Sequence, residues 1–68
     1  MKNNLKVERV KSRLTQQKLA EMVKVSRQTI NAVEKGRFVP STVLSLKMAH
    51  FFRIPVESLF ELDDGDLE

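Results

Sequence analysis

The sequence of 68 residues has no cysteine, tryptophan or tyrosine, only two glycines and two prolines, and one histidine. Without cysteine there is no disulfide, and with His50 as the sole imidazole a structural zinc site of the usual Cys/His kind cannot be assembled. Thiol and Cys/His catalysis are excluded with it. No apolar run approaches the roughly 18 residues of a spanning helix, and the opening MKNNLKVERVKS lacks the apolar centre of a secretion signal. The chain therefore reads as soluble and cytoplasmic. A single domain of this length hides only about 60% of the surface that its unfolded chain exposes. Of the usual supplements to a small core, disulfide, metal or partner subunit, only the partner subunit remains.

Acidic residues are scarce where basic ones are plentiful. Residues 1–56 hold all twelve Lys and Arg against Glu8, Glu21 and Glu34, a formal +9, whereas the last twelve residues hold six acids and no base, which brings the net to +3. A strongly basic body favours a polyanionic partner, nucleic acid before a membrane surface, because no strongly apolar amphipathic helix accompanies the charge.

Apolar residues recur at three- and four-residue steps, and no stretch keeps the alternation of a half-buried strand for long, so the domain is expected to be all-α. A first helix should run from about Leu5 to Ser12, with Asn3 or Asn4 as N-cap. Thr15 can cap QQKLAEMV, which turns Leu19, Ala20 and Val23 inward, and Ser26 can cap RQTINAVEK, which buries Ile30 and Val33. Gly36 closes that helix. Pro40 breaks the chain and Ser41 caps a fourth helix reaching about Phe52. Its Val43, Leu44, Leu46, Met48, Ala49, Phe51 and Phe52 exceed one stripe, which makes it the most buried helix or one that also serves an interface. Pro55 starts a short fifth segment, VESLFEL. Residues 1–62 form the domain, and the acidic residues 63–68 are expected to be disordered.

Two short helices separated by Lys24, Val25 and Ser26, the second exposing Arg27, Gln28, Thr29, Asn31 and Lys35, make a constellation suited to DNA. Arg bonds guanine in two places, Gln and Asn do so with adenine, and Thr offers a hydroxyl and a methyl. A major groove about 12 Å wide admits such a helix, and helix N-termini offer free N–H groups to phosphates. No nucleophile, base and orienting group can be nominated together, so no catalytic residue, metal or cofactor is expected.

The run LTQQKLAEMVKVSRQTINAVEKGRFVPS resembles the helix-turn-helix of the Xre/Cro-type repressor family. The likeness continues through IPVESLF and covers about residues 5–62, with the helix-turn-helix at 15–36. The resemblance implies a five-helix fold like those of Cro and lambda repressor, in which Ser26 to Lys35 is the recognition helix. It is nearest to small stand-alone members, which bind pseudo-palindromic operators as homodimers with recognition helices about 34–36 Å apart. It implies that Gln16 contacts phosphate and buttresses the recognition helix, and that Arg27 and Gln28 are the principal base readers. Thr29 and Asn31 follow as secondary contacts, Lys35 and Arg37 grip the backbone around Gly36, and Gln17 and Ser26 complete the DNA-facing set. Arg9 and Glu34 match a buried ion pair that ties the first helix to the third.

There are departures. Where the family usually places glycine after its first, second and fourth helices, this chain has Arg13, Lys24 and Arg53, each costing on the order of 1 kcal/mol of backbone strain, partly offset by a cation at a helix C-terminus. Lys18 replaces the Glu that would complete a capping box with Thr15, and Glu8 stands where an apolar residue is common.

Phe51, Phe52 and Phe60 are either core or a two-fold interface, with Leu62 and the Lys2 to Asn4 segment adding a short strand pair there. Lys2, Lys6, Lys11 and Lys47 read as solubilising surface, and His50 as packing or surface. The expected function is that of a sequence-specific regulator of double-stranded DNA, a homodimeric repressor acting by operator occlusion without a small-molecule effector. The alternative is an antitoxin-like or co-regulator subunit whose main partner is a protein; a long disordered extension would favour it, and residues 63–68 are short.

Overall fold

Three hydroxyl side chains start three helices. Thr15, Ser26 and Ser41 each hold extended backbone, and their side chains accept from the N–H of Lys18, Thr29 and Leu44 respectively, which satisfies donors that a helix start leaves orphaned. The computed structural model describes all residues, 1–68. In it five helices, α1 (Leu5–Lys11), α2 (Gln16–Val23), α3 (Arg27–Glu34), α4 (Thr42–Phe52) and α5 (Val56–Leu59), are accompanied by two short strands, β1 (Lys2–Asn3) and β2 (Phe60–Glu61). The five-helix fold is the one expected.

The ends of α1 to α4 follow one rule. Arg13, Lys24, Arg53 and Gly36 have φ of 58°, 62°, 57° and 72°. After each, the next N–H bonds back five residues: Leu14 to the Arg9 carbonyl, Val25 to Ala20, Ile54 to Ala49 and Arg37 to Ala32. This is the left-handed cap that satisfies the last helical carbonyls, and three of the four places take it without glycine. The strain therefore falls where the family's glycines were missed.

The core is Leu5 from α1, Leu19, Ala20 and Val23 from α2, Ile30 and Val33 from α3, Leu44, Met48 and Ala49 from α4, Leu59 from α5, and Phe60. Within α2, α3 and α4 these recur at steps of one, three and four residues, the stripe of one helix face. Each large side chain taken fully from water contributes about 1.5–3 kcal/mol against the entropy of ordering it. Because α2 and α3 bury their apolar stripes in this shared core, the polar face of α3 is held on a rigid base.

Three expectations are narrowed and one is corrected. Helix α4, expected to be the most buried helix or to serve an interface as well, keeps Val43 and Leu46 68% and 52% exposed, so its excess of apolar groups lies on the surface. Phe60, read as core or interface, belongs to the chain's own core, and Phe51 and Phe52 pack partly against it, their rings edge to face at 5.0 Å. The expected short strand pair forms, within one chain and antiparallel, with Lys2 opposite Glu61 and Asn3 opposite Phe60, because the short α5 ends at Leu59 and turns the chain back beside its own start. Residues 63–68 are not disordered: Asp64–Leu67 make a 3₁₀ turn in a reciprocal capping box between Asp63 and Asp66. The N-terminal ammonium lies 3.0 Å from both carboxylates, an attraction that chain order alone did not reveal.

Candidate nucleic-acid interface

Helix α3 has two unlike faces. Ile30 and Val33 are 0% and 1% exposed, while Arg27 and Gln28 stand in solvent at its first turn. The side chains of Arg27 and Gln28 have no hydrogen-bond partner in the chain, and neither do the backbone N–H groups of Gln16, Gln17, Arg27 and Gln28. Two helix starts thus present free donors, where the helix dipole favours an anion.

The charge on this face is uncompensated. The chain's ion pairs are Met1 with Asp63 and Asp66, Arg9 with Glu34, and Lys11 with Glu8, which leaves Arg27, Lys35 and Arg37 exposed and unpaired. The Glu34 carboxylate is 4% exposed and already occupied by Arg9.

Behind the face, a polar network joins three helices. Arg9 donates from Nε to Glu34 Oε2 at 2.7 Å, from a terminal nitrogen to Glu34 Oε1 at 3.2 Å, and from the other to the Leu14 carbonyl at 2.7 Å. Gln16 Nε2 donates to Glu34 Oε1 at 3.1 Å and to Asn31 Oδ1 at 3.2 Å. Such a network is rigid when every buried member is satisfied, and no buried side-chain nitrogen or oxygen lacks a partner.

The structure therefore brings together Arg9, Gln16, Asn31 and Glu34, and separately sets out Arg27, Gln28, Lys35 and Arg37. Thr29 is half-buried, with its hydroxyl 3.0 Å from Ser26 Oγ, so both serve the helix cap. Gln17 is exposed and donates to Glu21 Oε2 at 3.1 Å. Phe51, Phe52 and Leu62 take no part in the polar network.

Two supporting residues were missed by sequence reasoning. Lys47, taken for surface, reaches from α4 to donate to the Val23 carbonyl at 2.8 Å, holding the end of α2 at the turn into α3. Asn3 accepts from the Leu5 N–H and donates to the Val33 carbonyl at 2.9 Å, tying β1 to the end of α3. The cap half of Asn3 was legible locally; its bond across 30 residues was not.

An apolar groove of about 270 Å³ is lined mainly by Met1, Val39, Pro40, Leu46, Val56 and Phe60. Val39 in its lining is 65% exposed, and Val43, outside the lining, is 68% exposed. The two groups with displaced pKa values belong to the terminal cluster. The N-terminal ammonium is raised above its ordinary 8.0 by hydrogen bonds to Asp66 and Asp63. Asp66 is lowered from 3.8 by the Asp63 N–H and then by the ammonium. No group of three His, Cys, Asp or Glu side chains is placed to hold a metal ion, and no helix is long and apolar enough to cross a membrane.

The sequence profile of the helix-turn-helix family matches residues 5–59. An HTH-type transcriptional regulator of Methanocaldococcus jannaschii is 47% identical over 66 residues, covering 97% of this chain and 100% of that protein. The HTH-type transcriptional regulator YgzD of Bacillus subtilis is 44% identical over 64 residues, 94% of this chain and 97% of its own. A third such regulator, from Archaeoglobus fulgidus, is 39% identical over 67 residues, 98% of this chain and 94% of its own.

Proposed function

The chain belongs to the helix-turn-helix family, and on that footing we propose that it is a sequence-specific regulator of transcription that binds double-stranded DNA as a homodimer and represses by covering its operator. The observation that carries this reading is the first turn of α3: Arg27 and Gln28 exposed and unbonded, on a helix whose other face is locked in the core. Arg27 suits the O6 and N7 of guanine, and Gln28 the N6 and N7 of adenine. Lys35, Arg37 and the free N–H groups of α2 and α3 suit phosphates, which position the helix without reading sequence.

Selection of bound sites from random duplexes tests the reading. Wild type should enrich a two-fold-symmetric site, which Gln28→Ala relaxes at one position in each half. No enrichment at low salt would favour a subunit whose partner is a protein. Binding should weaken by roughly 10³ to 10⁵ between 50 and 200 mM salt for a dimer neutralising six to ten phosphates; a flat response would argue against phosphate contacts.

For the dimer, the exposed Val39 and Leu46 of the groove, together with Val43 and Leu62, are better candidates than the three Phe, which are half-buried or core. Sedimentation of Val43→Asp should show a monomer whose melting temperature no longer depends on concentration. A dimer as tight as wild type would place the contact elsewhere.

A further inference from the structure

We infer that Asn31 meets DNA as a hydrogen-bond donor only, and that Gln16 is the positioning residue that fixes this polarity. The inference rests on the DNA-binding reading above and names the class of group that position 31 contacts. That group is an acceptor, either on a base edge or a phosphate oxygen.

The argument starts at the ion pair. The ionised carboxylate of Glu34 accepts and cannot donate, and both of its oxygens are held by Arg9. The Gln16 atom 3.1 Å from Glu34 Oε1 is therefore the amide nitrogen. The reversed amide would set oxygen against oxygen where the carboxylate is only 4% exposed. That nitrogen carries a second hydrogen, and its other neighbour, at 3.2 Å, is the end of the Asn31 side chain. The Asn31 atom facing it must accept, so it is Oδ1. Hydrogen-bond polarity is thus handed on from Arg9 through Glu34 and Gln16 to the reading helix.

Two consequences follow for the outward atoms. Asn31 Nδ2 has no partner in the chain, the side chain is only half-buried, and no buried polar atom lacks a partner; Nδ2 therefore opens to solvent. It stands between Gln28 and Lys35 at helical i+3 and i+4 spacing, on the face proposed to read DNA. Bidentate adenine recognition needs the oxygen and nitrogen of one amide side by side on the base. Here the oxygen is turned inward to Gln16, so only the N–H donors of Nδ2 remain. Gln16 has spent both of its hydrogens internally. Its side chain turns an acceptor outward, and any phosphate contact at that residue falls to its unbonded backbone N–H.

Asn31→Asp tests the polarity, because it keeps an oxygen facing Gln16 and replaces the outward donor by an acceptor. Affinity for the duplex selected by wild type should fall at least about tenfold at fixed salt. Reselection then separates the two sources of acceptor. A base contact switches one position per half-site to cytosine, whose N4 amino group donates; a phosphate contact lowers affinity equally for all sequences. Asn31→Ala, which brings no new charge, should lose several-fold and gain no cytosine. The role of Gln16 is read from coupling: the Asn31→Asp penalty should shrink in a Gln16→Met background, which lacks the donors, and persist in Gln16→Lys, which keeps them. A purely additive cycle overturns the positioning role. Wild-type affinity and site preference in both Asn31 variants overturn the inference while leaving the DNA-binding reading intact. Failure of wild type itself to bind any duplex overturns both.

Discussion

Two charged clusters in this small protein have nearly the same geometry and opposite surroundings. Arg9 and Glu34 meet at 2.7 Å with side chains 12% and 4% exposed. The N-terminal ammonium meets Asp63 and Asp66 at 3.0 Å, with those carboxylates 39% and 32% exposed. Distance does not separate the clusters; access to water does. A charge stripped of its partner in the first cluster has little water to fall back on, whereas in the second water and salt replace the lost partner. The first cluster also shares its carboxylate with Gln16 and so joins α1 and α2 to α3. The second only folds the acidic end against the start of the chain.

The comparison breaks most directly at Arg9. Arg9→Ala leaves Glu34 buried and unpaired and should cost about 3 kcal/mol, a fall in melting temperature of roughly 12 °C or more for a domain of this size. An unchanged melting temperature would put the buried cluster on a par with the exposed one. Lys24 sharpens the contrast from another side, as a cation with no ion-pair partner and a φ of 62°. Lys24→Gly should raise stability by about 0.5 kcal/mol, the relief of left-handed strain less the lost interaction with the α2 C-terminus. Chemical denaturation measures it, and a loss of stability would mean that the cation outweighs the strain.

The smallest effect belongs to the terminal cluster and depends on pH. Asp66 has a depressed pKa, so its contribution is complete above the ordinary 3.8 and is lost as pH falls through the lower folded value. The ammonium has a raised pKa, so its contribution is complete below the ordinary 8.0 and is lost as pH rises through the higher folded value. The 3₁₀ turn is held most firmly between those limits. In NMR titrations the Gly65 amide should shift outside that window on both sides. A Gly65 signal that stays flat from acid to alkali would show that the cluster does not hold the turn.

What was legible beforehand was mostly local. Thr15, Ser26 and Ser41 act as caps because each bonds a group three residues away. A positive φ at Gly36 follows because a helix end needs it, whereas Arg13, Lys24 and Arg53 take the same geometry at places known only through resemblance to a family. Arg9 and Glu34 were paired only through resemblance to a family, since nothing local links residues 25 apart. Lys47 and the Val23 carbonyl, or Met1 and Asp63, could not be matched at all, because separations of 24 and 62 residues leave no periodic signal.

The sequence by itself determined the helices, their caps, the inward faces of α2 and α3, and the outward placing of Arg27 and Gln28. Helical periodicity and capping act over three or four residues, so these features need no knowledge of the rest of the chain. Only the tertiary structure decided that Phe60 is core, that the acidic end is folded back, and that the donors of Gln16 are consumed inside. Those outcomes depend on which distant groups burial brings within hydrogen-bond reach, and in a core shared by all five helices every such meeting is set by the packing of the whole.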